Sequence, residues 1–503
     1  MNRAPPTHAA WAVAGYVLVA AFVCMALGWL AAKITAAQLL HQAQQQLAQV
    51  EAHQPLWEWH LRKPRDLIAS RAFGNTKVSR DDGALQMTSL DGTPFELGLP
   101  IAWALDLGHW PILQAQLESD ASGTLGLVWQ GAGDAPACLA PLASTLTPHV
   151  QTLSIDVRDL TWYKANGDSC PGPGIASMLR LRVQIPANAS LRLKSAALLT
   201  TEPMMSPQDT AVDLPEHATA ADIERVTAHA QNWPMPLFRL PDGIHAEAML
   251  ALRDQLRERW PAALIVTAGV TPQPAPNVSH AALEWMACII YLLVLVRLAL
   301  KPIKGRLRPW LEIAGCLLGP LWLTMGLHWG LYPTTLGVVA FAGGLVFAVA
   351  LERRHLPRLW RWPEARRDWL WPLAPLPVAV LLMALYGHAP HRLPLGHVLT
   401  YFGWAWLQQW LMLVVLMRRF EQIVPRPGWA VLAVATVFAL LHTPNGMLMQ
   451  CCFVGELWWA WCFQRSRSVL PIGLAHAACA LLVEAGLVGG LVRSLEVSAR
   501  FFL

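Results

Sequence analysis

The sequence predicts an α-helical polytopic membrane protein of about nine spans, with an inserted extracytoplasmic β-rich, sandwich-like domain. The first observation is compositional: 54% of the 503 residues are hydrophobic and 14% are charged, whereas roughly 25% are charged in soluble domains. The second is that long apolar runs occur near the amino terminus and again after residue 280. The third is that short runs of alternating apolar and polar residues fill the stretch between them.

The charge distribution indicates a membrane setting and gives no reason to expect a nucleic-acid partner. The formal net charge is only +5, and the basic residues concentrate in short loops between apolar segments, as the positive-inside rule describes. Membrane lipid is therefore the expected surrounding. The sequence contains no Cys-x-x-Cys pair and no His/Cys zinc spacing, so we expect neither a metal nor another cofactor.

Residues 1–32 are predicted to form a cytoplasmic amino terminus and a transmembrane anchor. The apolar run from Trp11 to Ala32 is long enough to span. It exceeds a typical signal-peptide core and ends in a weak cleavage site, so we interpret it as a signal anchor, with cleavage as the alternative. Ile34 to Gln54 predicts a helix that continues out of the membrane.

Residues 33–280 are predicted to form an extracytoplasmic stalk and β-rich domain. Strand-like runs separated by Gly, Pro, Asn and Asp lie at 85–90, 124–131, 150–157, 178–185 and 190–199. They favour an antiparallel sandwich, with a hairpin around Pro186–Ala189. After residue 200 the pattern changes to helices at Ala218–Asn232 and Gly243–Trp260, then one more strand at Leu264–Val270.

The soluble part contains two cysteines and no recognisable catalytic signature. Cys138 and Cys170 lie there, whereas the other seven cysteines lie in apolar segments. Outside the cytoplasm the two could form a disulfide, but their spacing does not decide whether they do. Sandwich domains in that location commonly bind glycans or proteins, and by this analogy the domain is expected to recognise a protein or glycan partner.

Residues 281–503 are predicted to form an eight-helix membrane core. The apolar segments lie at 281–299, 309–328, 331–351, 369–387, 396–417, 428–446, 448–464 and 469–491. Every second connection is basic, through Lys301, Lys304, Arg306 and Arg308, then Arg353, Arg354, Arg358, Arg361, Arg366 and Arg367, then Arg418, Arg419 and Arg426, then Arg465 and Arg467. By the positive-inside rule these connections lie in the cytoplasm and residues 33–280 on the far side of a bacterial-type inner (plasma) membrane.

Polar side chains within the last apolar segments are the strongest functional signal. Gln408, Gln409, His442, Asn445 and His476 fall on three different apolar segments. Polar groups at membrane depth are costly and usually mark a functional site. Three helices that direct such groups toward one interior point would explain the pattern.

This part of the sequence resembles the CPBP intramembrane proteases, also called the CAAX amino-terminal protease family. Phe438 and His442 in FALLHTPNG match the family's F-x-x-x-H motif, and His476 in LAHAACA matches the histidine of H-x-x-x-N. The run QQWLMLVVLMRRF aligns with the first motif, E-E-x-x-x-R-G. The resemblance implies that a first-motif glutamate activates water while the histidines and the asparagine orient it and stabilise the oxyanion.

The sequence departs from the family pattern at four functional positions. Gln408 and Gln409 replace the glutamates, Leu413 the arginine and Ala480 the asparagine. An amide orients water but does not take its proton at neutral pH, and an arginine without its carboxylates would be an unpaired buried charge. We therefore expect a CPBP-like intramembrane endopeptidase fold with impaired or lost activity, which acts on or binds membrane-associated peptides. The alternative is a non-catalytic pseudoprotease or binding scaffold.

The candidate catalytic residues are His442, His476, Gln408 and Gln409, supported by Asn445, Glu456 and Glu484. Active peptidase chemistry would need another carboxylate, and Glu456 and Glu484 are the candidates. Glu484 lies two helical turns beyond His476, roughly 12 Å along the axis at 1.5 Å per residue, which is too far for contact. The alternative interpretation of both glutamates is polar pairing between helices or lining of a water cavity, and that of both histidines is a hydrogen bond across a helix interface. A metal site would lack its third protein ligand.

Overall fold

The computed structural model divides the chain into two compact units, and each is described by itself. One unit comprises Met1–Thr35, His245–Ala248 and Val278–Leu503, and the other comprises Ala36–Ile244 and Met249–Asn277. We call the first the membrane unit and the second the soluble unit. The structure describes residues 6–101, 103–202, 206–216, 220–275, 281–301, 303–325, 334–353, 362–424 and 426–502. The predicted basic positions 354–361 lie outside these ranges.

The amino-terminal part of the chain is one continuous helix, α1, from Pro6 to Glu51. It contains both the predicted anchor and the predicted helix after it, with no break between them. It ends shortly before Pro55, because a proline disfavours helical conformation in the residue that precedes it. Within its second half Leu39, Ala43 and Leu47 are buried. Their spacing of four residues places them on one face of the helix.

The soluble unit is rich in β-structure, as predicted. Its described strands are β1 (Trp57–His60), β2 (Thr76–Asp81), β3 (Ala84–Ser89), β4 (Phe95–Gly98), β5 (Leu105–Asp106), β6 (Ile112–Ser119), β7 (Gly123–Gln130), β8 (Cys138–Leu146), β9 (His149–Asp156), β10 (Tyr163–Lys164), β11 (Ile175–Ala176), β12 (Met178–Gln184), β13 (Ser190–Leu199), β14 (Ala211–Asp213), β15 (Leu237–Leu240) and β16 (Leu264–Thr267).

Two antiparallel sheets share one hydrophobic core. The first has the order β2-β3-β13-β6-β9, with β1 also paired to β13, and the second has the order β10-β8-β7-β12-β4. Side chains alternate along each strand; in β12, Leu179, Leu181 and Val183 are buried while their neighbours are not. The core contains residues of both sheets, such as Leu113 and Leu127.

The predicted hairpin at Pro186–Ala189 is wrong. β12 pairs with β4 and β7 of the second sheet, while β13 pairs with β3 and β6 of the first. The turn itself exists, because Asn188 adopts a φ of 65°. Turn residues indicate where the chain reverses, but they do not specify which sheet the next strand joins.

After residue 200 the soluble unit forms a small parallel sheet where we predicted only a single strand. β14, β15 and β16 pair in that order and in parallel. The helices α2 (Ala220–Thr227), followed by a 3₁₀ turn at Ala228–Asn232, and α3 (Ala246–Arg259) connect them. β14 and β15 have only three and four residues, too few to produce a clear alternating pattern.

A disulfide joins Cys138 on β8 to Cys170, with Cα atoms 6.0 Å apart. The remaining seven cysteines of the chain are free. The pairing that the sequence left open is therefore present in the structure.

The membrane unit consists mainly of apolar helices. Beyond α1 the described helices of this unit are α4 (Ala281–Leu300), α5 (Arg308–Met325), α6 (Thr335–Glu352), α7 (Arg366–Leu370), α8 (Pro375–Tyr386), α9 (Leu395–Gln409), α10 (Met417–Ile423), α11 (Pro427–Leu440), α12 (Gly446–Ser466) and α13 (Leu470–Gly486). By length and composition, five helical stretches in the described residues are able to cross a membrane, and α11 and α13 are apolar but shorter.

One predicted loop arginine lies instead in a buried ion network. Arg419, on α10, contacts Glu312 of α5 at 2.9 Å and also pairs with Glu352 of α6. Arg308 and Arg418 pair with the same two glutamates. Because the three helices are far apart in sequence, the run of basic residues did not reveal these partners.

Candidate functional site

The candidate site is a cavity of about 280 Å³ inside the membrane unit. Its walls are mostly apolar. The polar residues that line it include Tyr401, Gln408, His442 and His476, and Ala480 contributes to the same wall. The structure therefore brings residues of all three sequence motifs to one cavity.

The end of α9 positions the two glutamines. Gln408 lines the cavity, whereas the next residue, Gln409, is fully buried. A π-helical segment, Trp410–Leu416, follows directly, and such segments occur frequently at functional sites. Leu413, at the position of the family arginine, is fully buried inside this segment.

Close packing of α13 on α9 brings His476 toward Gln409. A Cβ atom at Gly473 would lie 3.0 Å from Cδ1 and 3.2 Å from Cα of Trp406, so a larger residue would force the helices apart. Small residues permit such close approach between membrane helices. The two helices run antiparallel, as the contact between His397 and Glu484 shows, so Gln409 and His476 lie one turn to either side of this contact and their side chains meet across it.

Gln409 links a buried carboxylate to His476. Its amide nitrogen Nε2 donates to Glu456 Oε2 at 2.8 Å and lies 3.4 Å from His476 Nδ1. Glu456 comes from α12 and is fully buried. The side-chain oxygen Oε1 of each residue, Gln409 and Glu456, is enclosed without a hydrogen-bond partner among the described residues.

His442 has one ring nitrogen occupied by its own helix. Nδ1 lies 2.8 Å from the Phe438 carbonyl oxygen. A carbonyl only accepts, so Nδ1 must carry the proton that it donates, and in neutral imidazole Nε2 then keeps a lone pair. The Phe438 ring lies between the two histidines, with centroids 4.8 Å from His442 and 5.4 Å from His476.

Two of the predicted supporting residues lie elsewhere. Asn445 Oδ1 accepts from Leu448 N at 3.1 Å at the start of α12, and its Nδ2 donates to the Ser494 and Glu496 carbonyls. Glu484 contacts His397 at 3.0 Å. Neither Asn445 nor Glu484 lines the cavity, so Asn445 has a helix-capping role and Glu484 pairs two helices.

The chemical capacity of the cavity is limited by its lining. Among the described residues that line it, none is an aspartate or glutamate, and Glu456 lies behind the wall. Gln408 is able to donate a hydrogen bond and His442 Nε2 to accept one, so both are able to orient a water molecule. No group of three metal-binding side chains occurs in the described part of the chain.

Sequence reasoning missed several residues that shape the site. Tyr401, Cys451, Cys452 and Cys479 line the cavity, and Trp459 packs on His476 with ring centroids 5.1 Å apart. The helices that carry them are apolar around most of their circumference, so periodicity does not indicate which face points inward.

One comparison with known protein families concerns this same region. Residues 390–482 match the family model described as Type II CAAX prenyl endopeptidase Rce1-like. The membrane unit carries a CAAX-protease-like domain. The matched residues include all three motif segments, and the resemblance inferred from the motifs is confirmed. No curated protein gives a significant match to the chain.

Solved structures similar to the chain include several carbohydrate-binding modules. A family 29 module shares 7% identity, with 28% of this chain and 89% of that chain covered and a TM-score of 0.20. A low-affinity xylan-binding module from Roseburia intestinalis shares 14% identity, with 29% and 95% covered and a TM-score of 0.19. A family 11 module of a Clostridium thermocellum cellulase shares 14% identity, with 26% and 86% covered and a TM-score of 0.20. Similarity at this TM-score does not establish a shared ligand.

Proposed function

We propose that the CAAX-protease-like domain binds a membrane-associated peptide in its cavity and has impaired or lost peptidase activity. The observation that carries this proposal is the position of the carboxylate. Glu456 and its partner Gln409 are both fully buried, and the cavity lining described above contains Gln408 but no acidic residue. A missing general base costs a hydrolase roughly 10²–10⁴-fold in rate.

The apolar walls support a peptide with apolar side chains as the ligand. A membrane-spanning or membrane-anchored segment presents such side chains together with a polar backbone. Tyr401 and Gln408 are polar residues of the lining that could hydrogen-bond that backbone. The apolar walls are thus compatible with such a peptide, and the described lining supplies no carboxylate to act as a base.

The proposal includes an orientation, with the soluble unit outside the cytoplasm of a bacterial-type inner membrane and nine spans in the chain. It is supported by the disulfide between Cys138 and Cys170, since disulfides persist in oxidising compartments. The alternation of basic connections in the sequence supports the same orientation. In this arrangement the soluble unit is placed to recognise an extracytoplasmic partner while the core holds the peptide.

Filling the cavity tests the proposed binding. Ala480 lines the cavity, so Ala480→Phe should weaken binding of a fluorescent transmembrane peptide to the protein in lipid nanodiscs at least about tenfold. Leu474 lies on the same helix and is 40% exposed, so Leu474→Phe is the matched control and should bind normally. Equal binding by both variants, or no saturable binding by the unmodified protein, would refute the proposal.

A second candidate function is peptidase activity with His442 as the base. It is favoured by the lone pair that the Phe438 hydrogen bond leaves on His442 Nε2. In that case His442→Ala should abolish cleavage, whereas binding of the peptide should persist. The binding and cleavage measurements therefore separate the two candidates.

A further inference from the structure

The soluble unit contains a buried arginine with a donor atom that has no hydrogen-bond acceptor among the described residues. Arg257, on α3, is 7% exposed. Its Nε atom is enclosed and has no hydrogen-bond partner among the described residues. A buried guanidinium is normally surrounded by acceptors, because the loss of water is otherwise uncompensated.

The charged residues near Arg257 do not supply the missing hydrogen-bond acceptor. Arg253 lies one turn earlier on α3, where i and i+4 residues are neighbours, and Asp254 Oδ1 is 2.7 Å from Arg253 Nη2. Burial, followed by repulsion from Arg253, lowers the pKa of Arg257 from 12.5 to about 10, and attraction by Asp254 offsets only part of this. Arg257 therefore remains a cation at neutral pH in a field that is locally positive.

An exposed aromatic ring lies beside this cation. The Cζ atom of Arg257 is 5.0 Å from the centroid of the Trp103 ring, and Trp103 is 38% exposed. Such a cation–π contact covers one face of the guanidinium. Because Nε is enclosed, the terminal Nη atoms are the donors through which an external anion would bind.

We propose that Arg257 and Trp103 form a carboxylate-binding site on the soluble unit. The two Nη atoms donate parallel hydrogen bonds to the two oxygens of a carboxylate, the bidentate geometry that guanidinium favours. Trp103 packs against the body of the molecule that carries the carboxylate. The ligand is therefore an organic acid group, borne by an acidic sugar or by the end of a peptide.

The test uses the full-length protein in lipid nanodiscs, with glucuronate and N-acetylphenylalanine as sodium salts at constant ionic strength. Glucose and N-acetylphenylalanine amide are the neutral counterparts. Isothermal titration should show saturable binding of at least one acid and of neither counterpart. The acid that binds more tightly distinguishes a sugar from a peptide source.

Variants of α3 and Trp103 test the assigned atoms. Arg257→Met should reduce carboxylate affinity at least about tenfold, and Arg257→Lys should reduce it less while retaining the charge. Arg259 on the same helix is 51% exposed and pairs with Glu224, so Arg259→Met is the matched control and should bind as the unmodified protein does. Trp103→Ala should weaken N-acetylphenylalanine more than acetate.

The unliganded protein provides a further readout. Removal of an uncompensated buried charge should leave the unfolding temperature of Arg257→Met equal to, or above, that of the unmodified protein. A lower unfolding temperature for Arg257→Met, together with no carboxylate binding by the unmodified protein, would overturn the proposal and assign Arg257 a structural role. The proposal would also be overturned if chloride raised the unfolding temperature of the unmodified protein as much as the two acids do.

Discussion

At the scale of single residues, the candidate site is distinguished by one carboxylate that lies beside its motif residues. Gln409 stands where the family has a glutamate, and Glu456 from another helix accepts its amide proton at 2.8 Å. The carboxylate is therefore near the motif but outside the cavity. A glutamine and a glutamate have nearly the same shape, so the pair permits exchange of the two groups without a change in volume.

Exchange of the two groups tests this geometry. Gln409→Glu alone would place two buried carboxyl groups against each other without the amide donor, and we expect a loss of about 1–3 kcal/mol in the free energy of unfolding. Adding Glu456→Gln restores one donor and one acceptor, so the double variant should recover most of that loss. Denaturation in detergent measures Gln409→Glu, Glu456→Gln and the double variant. If the loss in free energy of unfolding of the double variant equals the sum of the losses of the two single variants, the two side chains do not contact each other.

At the scale of helices, the buried ion network joins three segments that the sequence presents as separate. Arg419 is 6% exposed and Glu352 is 1% exposed. Buried charges that lose one partner are strongly destabilising, whereas replacing a whole set is often nearly neutral. The network therefore holds α5, α6 and α10 in one arrangement.

Removal of Arg419 should consequently be costly. We expect Arg419→Met to lower the free energy of unfolding by about 3 kcal/mol, the low end of the range for a broken buried pair, since Arg308 and Arg418 still contact the glutamates. Arg500→Met removes an exposed pair with Glu496 and should cost less than about 1 kcal/mol. Similar losses for the two variants in detergent unfolding would contradict the assigned burial.

Sequence patterns predicted individual helices and strands better than they predicted which of them contact each other. The motif spacing singled out Gln409, His442 and His476, but it did not indicate that Glu456 would face Gln409. The rotation of α12 decides that contact, and a helix that is apolar on most sides does not reveal its rotation. The prediction of a hairpin at Pro186–Ala189 was wrong for a related reason. The alternation of apolar and polar side chains in β12 and β13 is compatible with either sheet.

At the scale of the whole molecule, the chain combines a CAAX-protease-like membrane domain with a β-rich unit that carries a disulfide. The basic connections and the oxidised cysteine pair support the same orientation by independent arguments, one electrostatic and one chemical. The proposed peptide-binding core and the proposed carboxylate site lie in different units. Each is therefore testable without the other.

Reporter fusions test the orientation. An alkaline phosphatase fused after Asn277 should be active, since it would be exported, and one fused after Arg361 should be inactive. A cytoplasm-dependent fluorescent reporter should give the opposite pattern at both sites. If the fusion after Asn277 remains in the cytoplasm, the orientation is wrong and the disulfide loses its compartmental explanation.

Cleavage by the purified protein tests the central claim most directly. The protein and a panel of transmembrane peptides are reconstituted in lipid, and products are detected by mass spectrometry, with Gln408→Glu as the variant that adds a carboxylate to the cavity lining. We predict that the unmodified protein binds peptides without detectable turnover, and that His442→Ala changes neither result. Turnover by the unmodified protein that disappears in both His442→Ala and Glu456→Gln would contradict the account, because the buried carboxylate would then be serving the reaction.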